Sequence, residues 1–546
     1  MIAPFETHAV VNQSPPFEDL DLFAFDRPLQ DALAANGACG EAAALSAFGR
    51  RYGSAEMLEE ARRANENPPK LASFDRKGFR RDTVEFHPAY HRLMSESIAV
   101  GVHASTWRAD GSRAAAPAEV SRAARFYMAN QVEAGHCCPI TMTRASVAAL
   151  AAEPALRDRF IGKILYRTYD PSFRPAADKT GLTVGMGMTE KQGGTDVRAN
   201  TTRAVPADEG YLITGHKWFL SAPMCDAFLV LAQAPGGLTC FLMPRFRPDG
   251  SVNALRLQRL KDKLGNRSNA SAEVEFADAF AWRVGEEGRG VRTIIEMVQL
   301  TRLDCALGSA GLMRMALAQS VHHARHRSVF QRRLADQPMM RSVLADLALE
   351  MEAAVALVMR LARSFDHSDQ PAEAARARLL TPAVKYFVCK TAPGFIYETM
   401  ECLGGNGYVE EAPLARLYRE APVNAIWEGS GNVMCLDVLR ALSREGEASR
   451  HLIETLAGET AELPGAAQAA GFVANALTEH EAEAKARRAV EHLAQLAATA
   501  ALAETAPAAA EIFARARLSE PRGATYGTAA LESADLNALV ERALPM

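Results

Sequence analysis

Apolar residues return every three or four positions in EVSRAARFYMANQVEAG and RASVAALAAEPALRDRFIGKILYRTY, a spacing that predicts amphipathic helices across residues 61–182. The period then shortens. Between residues 183 and 285 the runs GYLITGHKWFLS, DAFLVLAQA, LTCFLMPRF and SAEVEFADAF are rich in β-formers and separated by Gly, Pro, Asn and Asp, which predicts an all-β barrel or sandwich. Long helical patterns such as SVLADLALEMEAAVALVMRLARSF resume over 286–440, with breaks near Gly404 and Gly429. Residues 441–546 read as an Ala- and Glu-rich helical tail interrupted at Pro464, Pro507 and Pro521. Residues 1–60 mix Pro, Asn and Asp with short apolar pieces such as DLDLFAF, and are expected as an extension lying on the larger body. The order helices, β unit, helices, extra helices defines an α+β multidomain chain.

Composition narrows the class. The chain has 546 residues, 48% hydrophobic and 23% charged, enough for several packed units and unlike a disordered protein. A formal net charge of −4 supplies no global attraction to nucleic acid or anionic lipid, so either partner would need a local patch. Nine cysteines, an odd number without C-x-x-C spacing, fit buried thiols in a reducing cytoplasm better than disulfides or a zinc site. The start MIAPFETHAVV lacks a basic segment followed by an apolar run, and no stretch is long enough to span a bilayer, so neither a signal peptide nor a membrane span is expected.

Candidate chemistry concentrates in three stretches. GMGMTEKQGGTD, residues 185–196, lies where helices give way to strands; its glycines admit a close ligand, and Thr189 and Thr195 offer hydroxyls. It lacks the G-x-G-x-x-G spacing, and a plain interdomain turn would read the same way. In HKWFLS, strand alternation puts Phe219 and Ser221 on one face and Trp218 and Leu220 on the other, a pattern that suits a planar ring or an ordinary strand core. In AIWEGSGNVM, residues 425–434, Glu428 sits among apolar neighbours ahead of a Gly-Ser-Gly turn. It reads as an acid near a helix whose N-cap is Ser430, or as a carboxylate kept for chemistry. His322 and His326 are four apart on a helical pattern but lack a third ligand, and are expected as solvated surface residues rather than a metal site. No G-x-S-x-G elbow supports hydrolysis.

Taken in order, these stretches resemble the acyl-CoA dehydrogenase family. MTEKQGGTD is similar to that family's flavin stretch, and the likeness continues in register through KWFLS, KLGNRSNASAEVEF, VGEEGRGV, RSVF, LGGNGYVEE, LYRE and IWEGSGN over residues 180–440. The wording HKWF, LKDKLGNRSNAS and IWEGSGN, with NPP near Asn67 and FHPAYH near Phe86, resembles the family's AidB-type alkylation-response branch. The resemblance implies an N-terminal helical domain, a central β domain, a C-terminal four-helix bundle and an extra C-terminal helical domain. It implies FAD contacts from Met188, Thr189, Gly194, Thr195, Phe219 and Ser221, with Ser430 and Asn432 along the cofactor. Arg327, Gly404 and Gly405 match positions that hold the FAD of a neighbouring subunit, so a homodimer or dimer of dimers is implied.

Glu428 aligns with the family base that removes the α-proton of an acyl-CoA thioester, its own amide and a flavin hydroxyl receiving the carbonyl oxygen. Ile426 and Trp427 are expected to desolvate it and so raise its basicity. Lys191, Phe219, Gln331 and Glu401 depart from the usual family residues, and Trp427 replaces a Tyr, which implies a narrowed thioester channel and weak dehydrogenation. An ordinary metabolic dehydrogenase and a flavin-stabilised scaffold without turnover are the alternatives. The branch also implies binding of double-stranded DNA by the tail, with Arg515, Arg517 and Arg522 as phosphate contacts beside the cluster Lys485-Ala486-Arg487-Arg488. Yet the tail carries nine Lys/Arg against fifteen Asp/Glu, which equally suits a solvated helical face.

Overall fold

The computed structural model describes residues 7–476 and 482–545. The first six residues of the expected extension and residues 477–481 and 546 of the expected tail therefore lie outside the described residues. The N-terminal part, expected as an extension lying on the larger body, folds into helices. It forms helices α1 (Arg27–Ala35), α2 (Ala42–Tyr52) and α3 (Ala55–Glu66), with Leu22, Leu29 and Leu45 fully buried. Asp26 and Ser54 cap α1 and α3 by accepting backbone N–H groups, the local signal that starts each helix. The break expected at residue 60 falls inside α3.

Within the region expected to be wholly helical, an antiparallel hairpin intervenes, β1 (Lys70–Phe74) and β2 (Arg80–Glu85). Its strands are too short and too polar to leave a clear period-2 pattern. Helices α4 (Pro88–Ala99), α5 (Ala118–Val132), α6 (Cys137–Leu150) and α7 (Pro154–Ile164) follow.

The β unit comprises β3 (Val184–Gly187), β4 (Arg203–Ala207), β5 (Gly210–Ser221), β6 (Ala227–Ala234), β7 (Gly237–Pro244), β8 (Leu255–Leu260) and β9 (Ser271–Val284). Pairings run β6–β7–β9–β5–β4 and return to β6, so five strands close a barrel, with β3 added parallel to β6 and β8 antiparallel to β9. Ile213, Phe228, Val230, Phe241, Val274 and Phe276 fill its interior.

The C-terminal half is built on α8 (Gly290–His326), β10 (Ser328–Val329), β11 (Arg332–Arg333), α9 (Pro338–Asp366) and α10 (Pro371–Cys402). Pro338 and Pro371 each stand in the first turn of a helix, where a missing N–H costs nothing. After the one-turn α11 (Gly405–Tyr408) come α12 (Pro413–Asn424) and α13 (Gly431–Arg444). The tail adds α14 (Gly446–Glu459), α15 (Ala466–Ala476), α16 (Ala482–Thr505), α17 (Pro507–Ala514) and α18 (Ser533–Ala543), packed on α9, α10 and α13. A buried ionic knot joins α5, α6 and α8: Arg122 grips Asp304, and Arg144 reaches both Asp304 and Glu119. Burial alone would raise the Asp304 carboxyl, but Arg122 and Arg144 beside it hold it below its ordinary value.

Candidate active site

Glu428 lies in the turn between α12 and α13 and adopts a left-handed backbone, φ 58°, followed by Gly429 at φ 105°. A side chain with a Cβ rarely holds that conformation without support. Three groups supply it. Thr301 Oγ1 on α8 donates to Glu428 Oε2 at 2.8 Å, Arg302 Nε donates to the Glu428 carbonyl at 3.0 Å, and Lys385 Nζ on α10 donates to the Gly429 carbonyl at 2.7 Å. Arg302 is itself fixed by Asp437 of α13 at 2.6 Å. The Glu428 amide donates to no acceptor among the described residues, so one N–H beside the carboxylate stays available. None of these partners is adjacent in sequence, which is why sequence reasoning missed Thr301, Arg302 and Lys385.

Around this turn the expectation of a dry apolar wall needs correcting. Ile426 is 65% exposed, and the Glu428 side chain is only half-buried. Trp427 does face inward: its Nε1 donates to Asn424 Oδ1 at 3.0 Å and its ring packs on the apolar cluster of the barrel. Ser430 occupies the N-cap position of α13 without a side-chain capping bond, so a simple helix start does not account for the stretch.

The 185–196 stretch forms a tight loop at the edge of the barrel. Glu190 and Gly193 pair backbone to backbone, and Thr189 O accepts the Trp218 amide of β5 at 2.9 Å. A Cβ on Gly194 would meet Thr189 Oγ1 at 2.3 Å, so only glycine lets the loop close over that hydroxyl. Glu190 is fully buried and accepts from Lys217 Nζ at 2.8 Å, from the Thr201 amide at 2.7 Å and from the Thr202 amide at 3.1 Å. Burial would raise its carboxyl, but Lys217 and the Thr202 and Thr201 donors hold it well below the ordinary value. This Glu190–Lys217 brace went unread in the sequence, although both residues stand inside the motifs quoted.

Strand alternation in HKWFLS is broken. The β5–β9 register shifts between Lys217 and Leu220, and the Lys261 ammonium lies 3.2 Å from the Trp218 ring centroid and 4.7 Å from that of Phe219. Phe219 is 47% exposed. Ser221 Oγ lies 3.4 Å from Ser271 Oγ, which accepts from Lys263 Nζ at 3.2 Å. Lys263 is pushed down to about 8 by burial, partly offset by nearby acids including Glu420. Buried Cys138, its thiol pushed up to about 12 by burial, feels the charges of Lys263, Glu428 and Glu420 together. Geometry ties the barrel to the helix leading into the Glu428 turn: Trp427 packs on the barrel cluster, and Asn266 Nδ2 donates to Glu420 Oε1 of α12 at 2.8 Å.

The remaining predicted residues differ in exposure and partners. Met188 and Thr189 are half-buried and Thr195 is exposed. Asn432 Oδ1 accepts from Arg487 of the tail at 3.1 Å. Arg327 Nη1 donates to the Asn12 carbonyl at 2.7 Å, while Gly404, at φ 62°, and Gly405 form an exposed tip with open space around them. No hydrogen bond among the described residues joins these three to the 185–196 loop. His322 is half-buried rather than solvated: its Nε2 meets the Pro15 carbonyl at 2.9 Å and its ring lies 4.7 Å from Phe17. A cavity of about 260 Å³ lined by Phe86, His91, Tyr169 and Met224, among others, holds none of the predicted site residues.

The DNA contacts drawn from the tail need the largest correction. Arg517 is buried and paired with Asp346 and Glu350 of α9, and among the described residues these two carboxylates form no other ion pair. Arg515 pairs with Asp535 at 2.7 Å, and Arg522 stacks on Tyr526 at 4.1 Å. Arg488 lies over Phe472.

The barrel packs on helices from both halves of the chain, β3 on α6 and β7 on α8, and this arrangement is the fold of the acyl-CoA dehydrogenases. The profile of the adaptive response protein AidB N-terminal domain matches residues 12–171, the acyl-CoA dehydrogenase middle domain 185–279, and the acyl-CoA dehydrogenase C-terminal domain 288–443. AidB of Escherichia coli (strain K12) is 51% identical over 443 residues, 81% of either chain. Acyl-CoA dehydrogenase family member 11 of Caenorhabditis elegans is 31% identical over 449 residues, 78% of this chain and 70% of the relative. The crystal structure of Caenorhabditis elegans ACDH-11 in complex with C11-CoA superposes with a TM-score of 0.82 at 27% identity, covering 98% of this chain and 93% of that one. The chain belongs to the acyl-CoA dehydrogenase family, in its AidB branch. No helix among the described residues is long and apolar enough to cross a membrane.

Proposed function

We propose that this chain is an FAD flavoprotein of the AidB type that carries out slow α,β-dehydrogenation of an acyl-CoA thioester, with Glu428 as the base, in the adaptive response to alkylation damage. The left-handed turn at Glu428 carries the reading, because Thr301, Arg302 and Lys385 from two helices converge to clamp it while one carboxylate oxygen is left open. Exposed Phe219, next to Trp218 whose amide donates to Thr189 O, with half-buried Ser221, Met188 and Thr189, suits a planar ring system, so the residues present fit FAD. Ser430 and Asn432 would continue along it.

FAD, when bound, supplies an acceptor for the β-hydrogen as hydride. Glu428 takes the α-proton on Oε1, since Thr301 occupies Oε2. The free Glu428 N–H donates to the thioester oxygen as negative charge grows there. Trp427 narrows the approach. The worm relative's complex with C11-CoA supports an acyl-CoA as the substrate class. Phe330, 94% exposed, with exposed Met339 and Tyr408, supports a homo-oligomer, a dimer of dimers in which Arg327, Gly404 and Gly405 face a neighbour's FAD. Eight buried free thiols suit a reducing cytoplasm. A role for tail arginines on duplex DNA has no comparable support.

The test is anaerobic mixing of FAD-loaded protein with acyl-CoA thioesters of graded chain length. Slow bleaching of the flavin band is expected for the wild type and none for Glu428→Gln, which should retain FAD. Failure of the wild type to hold FAD, or equal bleaching by the variant, would sink the proposal.

A further inference from the structure

The β1–β2 hairpin carries charge and aromatic surface that the proposed chemistry does not use. Between residues 70 and 81 the chain places Lys70, Arg76, Lys77, Arg80 and Arg81 against a single acid, Asp75, and all five cations are exposed; at the end of β2 exposed Glu85 stands opposite Lys70 in the ladder and offsets it. The acid is spent on the turn: Asp75 Oδ1 accepts the amides of Lys77 at 2.8 Å and Phe79 at 2.9 Å. Asp82, next in the chain, is buried and pairs with Arg80 at 2.6 Å. Lys70, Arg76, Lys77 and Arg81 make no ion pair among the described residues. Two rings stand among them, Phe74 at 58% and Phe79 at 69% exposure, with the Arg80 guanidinium 5.8 Å from the Phe74 centroid.

The hairpin is held firmly from behind. Leu71 and Val84 pack on the barrel cluster, Arg80 Nη2 donates to Leu257 O of β8 at 3.1 Å, and Arg245 donates to Asp82 O. Neighbouring cations add little to the field: Glu273 takes up Arg259 and Lys261, and Glu275 stands opposite Arg256 across β8 and β9. The positive charge is thus local to the hairpin, and so are the rings. Exposed aromatic rings on a cationic ribbon match the chemistry that holds unpaired nucleobases by stacking and their phosphates by charge. A closed duplex hides its base faces. A lipid surface fits less well, because Asp75, Arg76 and Lys77 lie between the two rings in the chain and would enter hydrocarbon with them.

We propose that this hairpin binds single-stranded nucleic acid, with Phe74 and Phe79 stacking on bases and Arg76, Lys77 and Arg81 on phosphates. The proposal is independent of the dehydrogenase reading and of the tail. Its test is fluorescence anisotropy of the full chain with a labelled oligo-dT strand and with a duplex of equal length, at low and moderate salt. Co-sedimentation with phosphatidylserine–phosphatidylcholine vesicles runs in parallel. The single strand should bind more tightly than the duplex and be weakened by salt. Phe74→Ala with Phe79→Ala should lower single-strand affinity roughly tenfold or more. Charge reversal of Arg76, Lys77 and Arg81 should abolish binding, and Arg515→Glu with Arg522→Glu should leave it unchanged. The melting temperature of each hairpin variant should match the wild type, since the altered side chains are exposed. No binding by the wild type, wild-type affinity in both hairpin variants, or hairpin-dependent binding of vesicles without the strand would overturn the proposal.

Discussion

At the scale of single residues, the informative feature is a conflict between backbone and side chain. Glu428 holds φ 58°, where a Cβ costs about 1–2 kcal/mol, yet glycine is not used there, because glycine has no carboxylate. Glu428→Ala and Glu428→Gly both remove the carboxylate and its bond to Thr301, so comparing them isolates the strain. Glu428→Gly should be the more stable by about 1 kcal/mol in denaturant titration. Equal stability, or a more stable alanine variant, would show that the turn is unstrained. The sequence exposed Glu428 through its apolar setting, but the reason it offered was partly mistaken. Ile426 faces solvent, and the turn is held instead by Thr301, Arg302 and Lys385 from helices more than forty residues away. No periodicity or motif announces such partners, since each looks like an ordinary helix residue until the helices cross.

At the scale of elements, the helix–β–helix order was legible because apolar periods of 3.6 and 2 leave different marks, and β3 to β9 run from Val184 to Val284. What escaped were elements with weak marks: helices α1 and α2 hidden behind turn-forming residues, and the short polar β1–β2 hairpin. The β5 bulge was also invisible, because alternation assumes an unbroken ladder. The flavin-type loop depends on β5 through the buried Glu190–Lys217 pair, which suggests a direct test. Lys217→Met leaves Glu190 buried without its cation and should destabilise the protein by about 3–5 kcal/mol, while adding Glu190→Gln should recover part of that loss. The sign with pH follows from the lowered Glu190 carboxyl. Its contribution is fully present above the unfolded value, roughly 4.3, and is lost as pH falls toward the lower folded value. Glu190→Gln alone should therefore lose less stability than the wild type on acidification below about pH 4, measured by urea unfolding.

At the scale of the whole molecule, the tail is a structural part of the body. Arg517 enters α9 at Asp346 and Glu350, Gly527 N donates to the same Asp346 at 2.8 Å, and Arg542 ties Glu352 to Asp31 of α1. The acidic balance of the tail was readable from its composition; which of its cations were already committed was not, because Asp346 and Glu350 lie far away in the chain. This distinction separates two arginines that the sequence treated alike. Arg517→Met strands two buried carboxylates and should cost about 3–5 kcal/mol, loosening the tail enough for limited proteolysis to release it. Arg522→Ala removes only a half-exposed contact with the Tyr526 ring and should cost less than about 1 kcal/mol, with the tail still protected. If duplex DNA were held by these residues, Arg522→Ala would weaken binding without loosening the tail. The packing predicts the reverse pairing of effects, a loosened tail in Arg517→Met and unchanged duplex affinity in Arg522→Ala. Unchanged proteolysis in Arg517→Met would mean that its carboxylate pairs do not anchor the tail, and a loss of duplex affinity in Arg522→Ala would restore the tail as a DNA-binding surface.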